Sequence, residues 1–185
     1  MNHRILRINI SLFVTLFGLM VGMDAQADDR FDDRVELAGN VLMVALPVAA
    51  AGLTLGFQDG QGAWEFGESA ALSMCTTFAL KFSIKKTRPD GESQSFPSGH
   101  ATISFTAAEF MCRRYGWEYG LPAHALATFV AYSRVQAQRH YTVDVVGGAA
   151  IGILSSYLIT RPYKGWNIQP EVGYSYIGIR LKHSL

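Results

Sequence analysis

The segment PSGHATISFTAAEFMCRRYG, residues 97–116, decides how this chain is read. Pro97 and Ser98 mark a helix start, because a serine hydroxyl can cap the first unpaired backbone N–H groups and the proline sits just outside. The helix is expected to run to about Tyr115 and stop at Gly116. Working outward from it, the chain is a succession of helices. Upstream, 37–57 is nearly all apolar, interrupted by Asn40 and Pro47, and 64–86 is mixed, with Trp64, Phe66, Leu72, Phe78, Leu80 and Phe82 as its apolar residues. A polar break at 87–96, carrying Pro89, Asp90, Gly91 and Glu92, separates that stretch from the central helix. Downstream, one helix is expected from about Leu121-Pro122, with proline in its first turn, to about Gln138. The last is expected from Thr142 to Ile159, stopped by Arg161-Pro162 and Gly165. Residues 171–182 are rich in Val, Tyr and Ile and read as strand-like, so 166–185 is expected to be a short strand-like tail. The expected fold class is all-α, a bundle of about five core helices.

At 185 residues the chain is one domain with enough material for a core. A net charge of +1 gives no bulk field for nucleic acid, so no nucleic-acid partner is expected. Residues 1–27 read as a signal peptide or an uncleaved N-terminal anchor. His3, Arg4 and Arg7 form a basic start, 8–21 is apolar, and Ala25-Gln26-Ala27 offers a small-x-small cleavage site. The helical domain is then 28–165. Cys75 and Cys112 fall in apolar helical stretches and read as buried free thiols. No Cys or His spacing resembles a zinc site, so no structural metal is expected.

Residues 37–57 and 143–159 are long and apolar enough to enter a bilayer, although the mean hydropathy of +0.14 is low for a fully embedded bundle. If the loops carrying the candidate site face the periplasm, Arg113, Arg114, Arg161 and Lys164 lie at the opposite ends of the helices, as the positive-inside rule asks. The preferred location is the bacterial inner membrane with a periplasm-facing site. The rival is a soluble periplasmic domain.

Three stretches carry one chemistry between them: Lys81 with Arg88-Pro89, Pro97-Ser98-Gly99-His100, and Ser133-Arg134 with His140 and Asp144. Arg88 and Arg134 can each offer two parallel N–H groups to a phosphate, and Lys81 a point charge. Lys81 and Arg88 are seven apart, two turns on one face if the helix is continuous. Ser98 and Gly99 bring a helix N-terminus, whose free N–H groups and dipole favour an anion, with the serine either capping the helix or donating its hydroxyl. His140 and Asp144 are four apart, which puts a carboxylate within reach of one imidazole nitrogen to fix its tautomer. A neutral, oriented imidazole can attack phosphorus, and His100, from another helix start, can protonate the leaving alcohol and then activate water. Lys85 and Lys86 read as a solvated helix end. His124 reads as structural, with no partner in view. Gly147-Gly148 reads as a close packing contact, and Phe105, Phe110, Phe129 and Tyr132 as core.

These stretches, in this order, resemble the complete three-part signature of the type 2 phosphatidic acid phosphatase (PAP2) superfamily, which also contains bacterial acid phosphatases and vanadium haloperoxidases. The signature covers residues 81–144, and the flanking helices extend the likeness to roughly 37–159. The resemblance implies a helical bundle with its site at one end and hydrolysis without metal or other cofactor. It implies phosphate binding by Lys81, Arg88, Ser98, Gly99 and Arg134, with His100 as general acid, His140 as nucleophile and Asp144 as its orienting partner. The expected activity is hydrolysis of a phosphate monoester or diphosphate on a membrane lipid. Candidates by analogy are phosphatidic acid, phosphatidylglycerol phosphate, undecaprenyl diphosphate and lipid A phosphate. The alternatives are a soluble acid phosphatase acting on a small phosphate ester, a vanadium haloperoxidase, disfavoured because such enzymes are generally much longer, and a non-catalytic phosphate-binding membrane protein.

Overall fold

The computed structural model describes residues 29–163, 165–172 and 177–184. The expected leader, 1–27, and Lys164 lie outside the described residues. Five helices follow one another: α1 (Asp29–Gly56), α2 (Gly60–Ile84), α3 (Gly99–Tyr115), α4 (Trp117–Gln136) and α5 (Thr142–Ile159). An antiparallel hairpin follows, β1 (Gly165–Val172) with β2 (Ile177–Ser184), in a register running from Gly165 opposite Ser184 to Val172 opposite Ile177. The all-α bundle is as expected, and the tail is a hairpin whose first strand starts before 171.

Three boundaries differ from the sequence reading. α1 begins at Asp29, so the charged stretch before Leu37 is helical too. α4 begins at Trp117, which puts Pro122 inside the helix rather than in its first turn. α2 stops at Ile84, and Lys85 takes the left-handed conformation with φ 47°. Lys81 and Arg88 therefore do not share one continuous helix. The chain from 85 to 98 folds back on itself: Arg88 N–H donates to Glu92 O at 2.7 Å, and Ser95 N–H to Lys86 O at 2.7 Å.

The core is built from small residues. Leu46 and Ala50 of α1, Ala107, Ala108, Phe110 and Met111 of α3, and Ala123, Ala127 and Val130 of α4 form one cluster. Alanine lets helix backbones approach, and Phe110 fills the centre. The α2–α3 seam is polar instead. Ser73, Thr77, Thr102 and Thr106 are fully buried, joined by Thr77–Thr102 and Thr106–Ser73 hydroxyl contacts of 2.9 Å each. The opposite face of α2 carries its large apolar residues outward: Trp64 is 68% exposed and Phe82 63%. Small polar residues inside with bulky apolar ones outside is the arrangement of helices packing in lipid, and the reverse of a water-soluble helix.

α1 and α5 repeat the pattern. Leu37, Val41, Val44, Val48 and Leu55 are exposed along α1, and Val143, Val146, Leu154 and Leu158 along α5. Two helical segments, Asp32–Gly56 and Thr142–Ile159, are long and apolar enough to cross a membrane. On its inner side α5 lies very close to α3. A Cβ at Gly148 would strike the Ser98 carbonyl, and one at Gly152 would strike the Thr102 carbonyl.

The end of the bundle away from Ser98 is tied by Arg114, which donates to Asp59 at 2.7 Å through Nε and to Glu65 at 3.2 Å through Nη1. Arg161 N–H adds a 3.0 Å bond to Glu65. The cationic tally expected at this end thus loses Arg114, which is buried and neutralised by two carboxylates. Cys75 and Cys112 are both free. Cys112 is buried as expected, but Cys75 is exposed, on the outward side of α2.

Candidate active site

Local backbone chemistry brings the three stretches to one end of the bundle. Ser98 is the N-cap of α3, its hydroxyl accepting from Ala101 N–H at 3.5 Å, so of the two roles left open for it the structure shows the cap. Its own N–H donates to Asp144 O at 2.9 Å, which ties the start of α3 to the start of α5. At the end of α4 the chain curls over itself, with Arg139 and His140 N–H both donating to Arg134 O at 3.0 and 3.1 Å. That turn sets His140 beside the guanidinium-bearing turn of α4. Gly99 has room: an added Cβ would make only ordinary contact with Met74 and Thr77.

Arg134 is buried and fully engaged. Its Nη1 donates to Asn40 Oδ1 at 2.9 Å, Nη2 to Glu36 O at 2.8 Å, and Nε to Ser133 Oγ at 3.1 Å. Asn40 Oδ1 also lies 3.0 Å from His100 Nε2. One amide oxygen of α1 thus orients both the arginine and the histidine. Lys81 is buried and donates to Gln94 O at 2.6 Å. Arg88 reaches the same region from the loop, with Nη1 on Glu92 at 2.6 Å.

Asp144 is fully buried and heavily bonded. Lys86 Nζ donates to Oδ1 at 2.6 Å, Tyr141 N–H to Oδ2 at 3.0 Å, and the Ser95 hydroxyl to Oδ2. His140 Nδ1 faces the same Oδ2 at 3.8 Å, beyond hydrogen-bond reach. The pairing expected between His140 and Asp144 is therefore one of proximity, not yet of bonding. Arg88 Nε and His140 Nδ1 are buried with no hydrogen-bond partner among the described residues. Native proteins rarely leave such groups unsatisfied without a functional reason.

The electrostatics agree with convergence. Burial, then the Lys81 and Arg88 charges, lowers His140 to about 4. Burial, then Arg134, lowers His100 to about 4 as well, with Arg88 and Lys81 adding to the effect and Glu36 opposing it. Both imidazoles are neutral at pH 7 in this cationic cluster. An anion bound among the cations would favour the protonated form of either ring.

The PAP2 superfamily pattern matches residues 62–167, a span that holds all eight candidate residues. The chain belongs to the PAP2 superfamily. A lipid A 4'-phosphatase of Helicobacter pylori is 32% identical over 158 residues, which is 78% of this chain and 79% of that protein. A lipid A 1-phosphatase of Porphyromonas gingivalis is 38% identical over 101 residues, 48% of this chain but only 22% of that protein. The crystal structure of LpxE from Aquifex aeolicus superposes with a TM-score of 0.58 at 22% identity, covering 78% of this chain and 92% of that one, and it shares the fold.

Around these candidate residues lie groups that the sequence reading set aside. Lys86 is no solvated helix end, because it holds the buried Asp144. Its partner is 58 residues away, which no local spacing reveals. Asn40 and Glu36 come from α1, outside the matched span, and the lone amide in an apolar run was the visible signal. Ser95 gave none. His124, read as partnerless, has Gly120 O and Glu109 beside it.

Proposed function

We propose that the chain is a phosphatase that removes a phosphate from a membrane lipid without metal, through a phosphohistidine at His140. The observation that carries this reading is the pair of buried, unpartnered groups, Arg88 Nε and His140 Nδ1, set among Lys81, Arg134 and His100. A phosphate placed there would satisfy the arginine, and every charge needed to stabilise its oxygens comes from side chains. Because Nδ1 faces Asp144, the attacking atom is His140 Nε2. The Nε2–P bond forms as the ester P–O bond breaks, and His100, protonated in the field of the bound phosphate, gives that proton to the departing oxygen. Water then attacks phosphorus, His100 takes its proton, and the P–N bond breaks to release inorganic phosphate. As His140 gains positive charge, a ring movement of about 1 Å brings Nδ1–H into hydrogen-bond range of Asp144. Asn40 orients His100 throughout, while Lys81, Arg88, Arg134 and the Ser98-Gly99 helix start hold the phosphate.

The outward apolar faces of α1, α2 and α5 suit a substrate that stays in the bilayer while its headgroup enters the end of the bundle. The basic start, apolar run and small-x-small pattern of 1–27, read as a signal peptide or anchor, support delivery to the inner membrane with the site on the periplasmic side. Lipid A phosphate leads the substrate candidates, because the relative matched over most of its length carries that name. Phosphate release by purified protein in EDTA, over a panel of lipid and soluble phosphates, tests the proposal. Release from lipid A or another lipid phosphate at rates well above soluble monoesters is expected. A strict requirement for added divalent metal, or preference for soluble esters, would overturn it.

A further inference from the structure

A second cluster of chemistry lies away from this site. Glu109 and Cys112 sit one turn apart on α3, and His124 faces them from α4, with one potential ligand atom of each within 4.8 Å of the others. Glu109 is ten residues from Gly99 along α3, about 15 Å by helical rise, so the cluster is separate from the phosphate cradle.

The hydrogen bonding around His124 is specific. Its Nδ1 lies 2.9 Å from Gly120 O, and since a carbonyl can only accept, Nδ1 carries the hydrogen. In the neutral ring, Nε2 then presents a lone pair. It points at Glu109 Oε2 from 3.3 Å, an acceptor facing an acceptor. Something positive belongs between them. The third group, the Cys112 sulfur, lies within 4.8 Å of both. An ion engages all three. Zinc bonds of about 2.0–2.2 Å to nitrogen and oxygen place tetrahedral ligands about 3.3–3.5 Å apart, which the observed 3.3 Å separation matches. An Nδ1–H to backbone carbonyl bond is also how metal-bound imidazoles are commonly oriented. Gly120 keeps this arrangement tight, because a Cβ there would strike Cys112.

We propose that Glu109, Cys112 and His124 form a zinc-type binding site that clips α3 to α4. The mixed sulfur, nitrogen and oxygen set selects a borderline metal such as Zn²⁺ over Mg²⁺ or Ca²⁺. Binding forms one bond each to Sγ, Nε2 and a carboxylate oxygen, and releases the Cys112 thiol proton to solvent. The E-x2-C spacing and a histidine twelve residues on match no familiar zinc pattern, which is why the sequence reading expected no structural metal. At this distance from the cradle the ion supports the bundle and takes no part in hydrolysis.

The test uses the full chain without a histidine tag, stripped of metal and titrated with Co²⁺ as a spectroscopic stand-in for Zn²⁺. The expected result is a thiolate-to-cobalt charge-transfer band that saturates at one ion per chain and is displaced by Zn²⁺. Cys75→Ser keeps the band, whereas Cys112→Ser and Glu109→Gln each lose it. Zn²⁺ should raise Tm by about 5 °C or more at about a hundredfold excess over its dissociation constant, in the parent chain but not in these two variants. No band, or an equal Zn²⁺ response in parent and both variants, overturns the site and leaves His124 and Glu109 as a side-chain contact alone. Phosphatase activity in EDTA is read separately, so its loss bears on the mechanism and not on this site.

Discussion

At the scale of single residues, the site is organised around buried polar groups whose charge states the fold has set. His100 and His140 are both held near 4, below the ordinary histidine value of about 6.5. The unfolded chain therefore binds more protons than the folded one between these values. Stability is fully present above about pH 6.5 and is lost as pH falls toward about 4. Thermal melts between pH 7 and pH 4.5 should show this decline, and His100→Gln should make it shallower. An unchanged slope in the variant would contradict the assignment. Lys86 offers a second residue-level prediction. Removing it as Lys86→Met leaves Asp144 buried with only Ser95 and the Tyr141 N–H, and a lost charged hydrogen bond of this kind costs about 2 kcal/mol. Activity should fall mainly in kcat, because Lys86 acts through Asp144, and phosphate or vanadate affinity should change little. A fall confined to KM would point to direct substrate contact instead.

At the scale of elements, the α3–α5 contact positions the helix ends that carry the candidate site. Ser98 N–H bonds Asp144 O, and the backbones can approach because Gly148 has no side chain. Gly148→Ala should force the helices apart at an overpacking cost of about 1–3 kcal/mol and reduce turnover with it. Gly67→Ala is the matched control, since nothing lies within 4 Å of its added methyl, and the better helix former should leave stability equal or slightly higher. Equal melting temperatures for the two variants would refute the packing argument. This scale also shows what the sequence could tell. The helix from Gly99 to Tyr115 was readable at both ends because its cap, Ser98, and its stop, Gly116, are local signals. The end of α2 was placed two residues late, at 86, because nothing at Lys85 marks a left-handed turn, and Arg88 lies in the loop where the polar break was read. Asp144 could be paired with His140 from spacing alone, whereas its bonds to Lys86 and Ser95 depend on a loop folding back across some fifty residues of sequence.

For the whole molecule, the distribution of polarity decides how the bundle meets its surroundings. Hydroxyls line the α2–α3 seam, the Arg114–Asp59–Glu65 cluster ties one end, and the cationic site occupies the other. Bulky apolar side chains cover the flanks of α1, α2 and α5. The protein should remain with membranes through alkaline carbonate extraction and require detergent for release. Recovery in the osmotic-shock fluid would contradict the lipid-facing reading. Composition alone hid this arrangement, since buried Ser and Thr lower the mean hydropathy as much as surface polar residues do.

The central claim is that His140 attacks phosphorus and carries the phosphoryl group. A phosphoramidate hydrolyses in acid and survives base, so the direct measurement is an alkaline quench during turnover followed by peptide mapping, with His100→Ala used to slow breakdown of the intermediate. The account predicts one phosphoryl group on His140 in the parent chain, persistence of that label in His100→Ala when the substrate is an aryl phosphate whose leaving group needs no proton, and none in His140→Ala. Steady phosphate release with no label on His140 in either chain would contradict it.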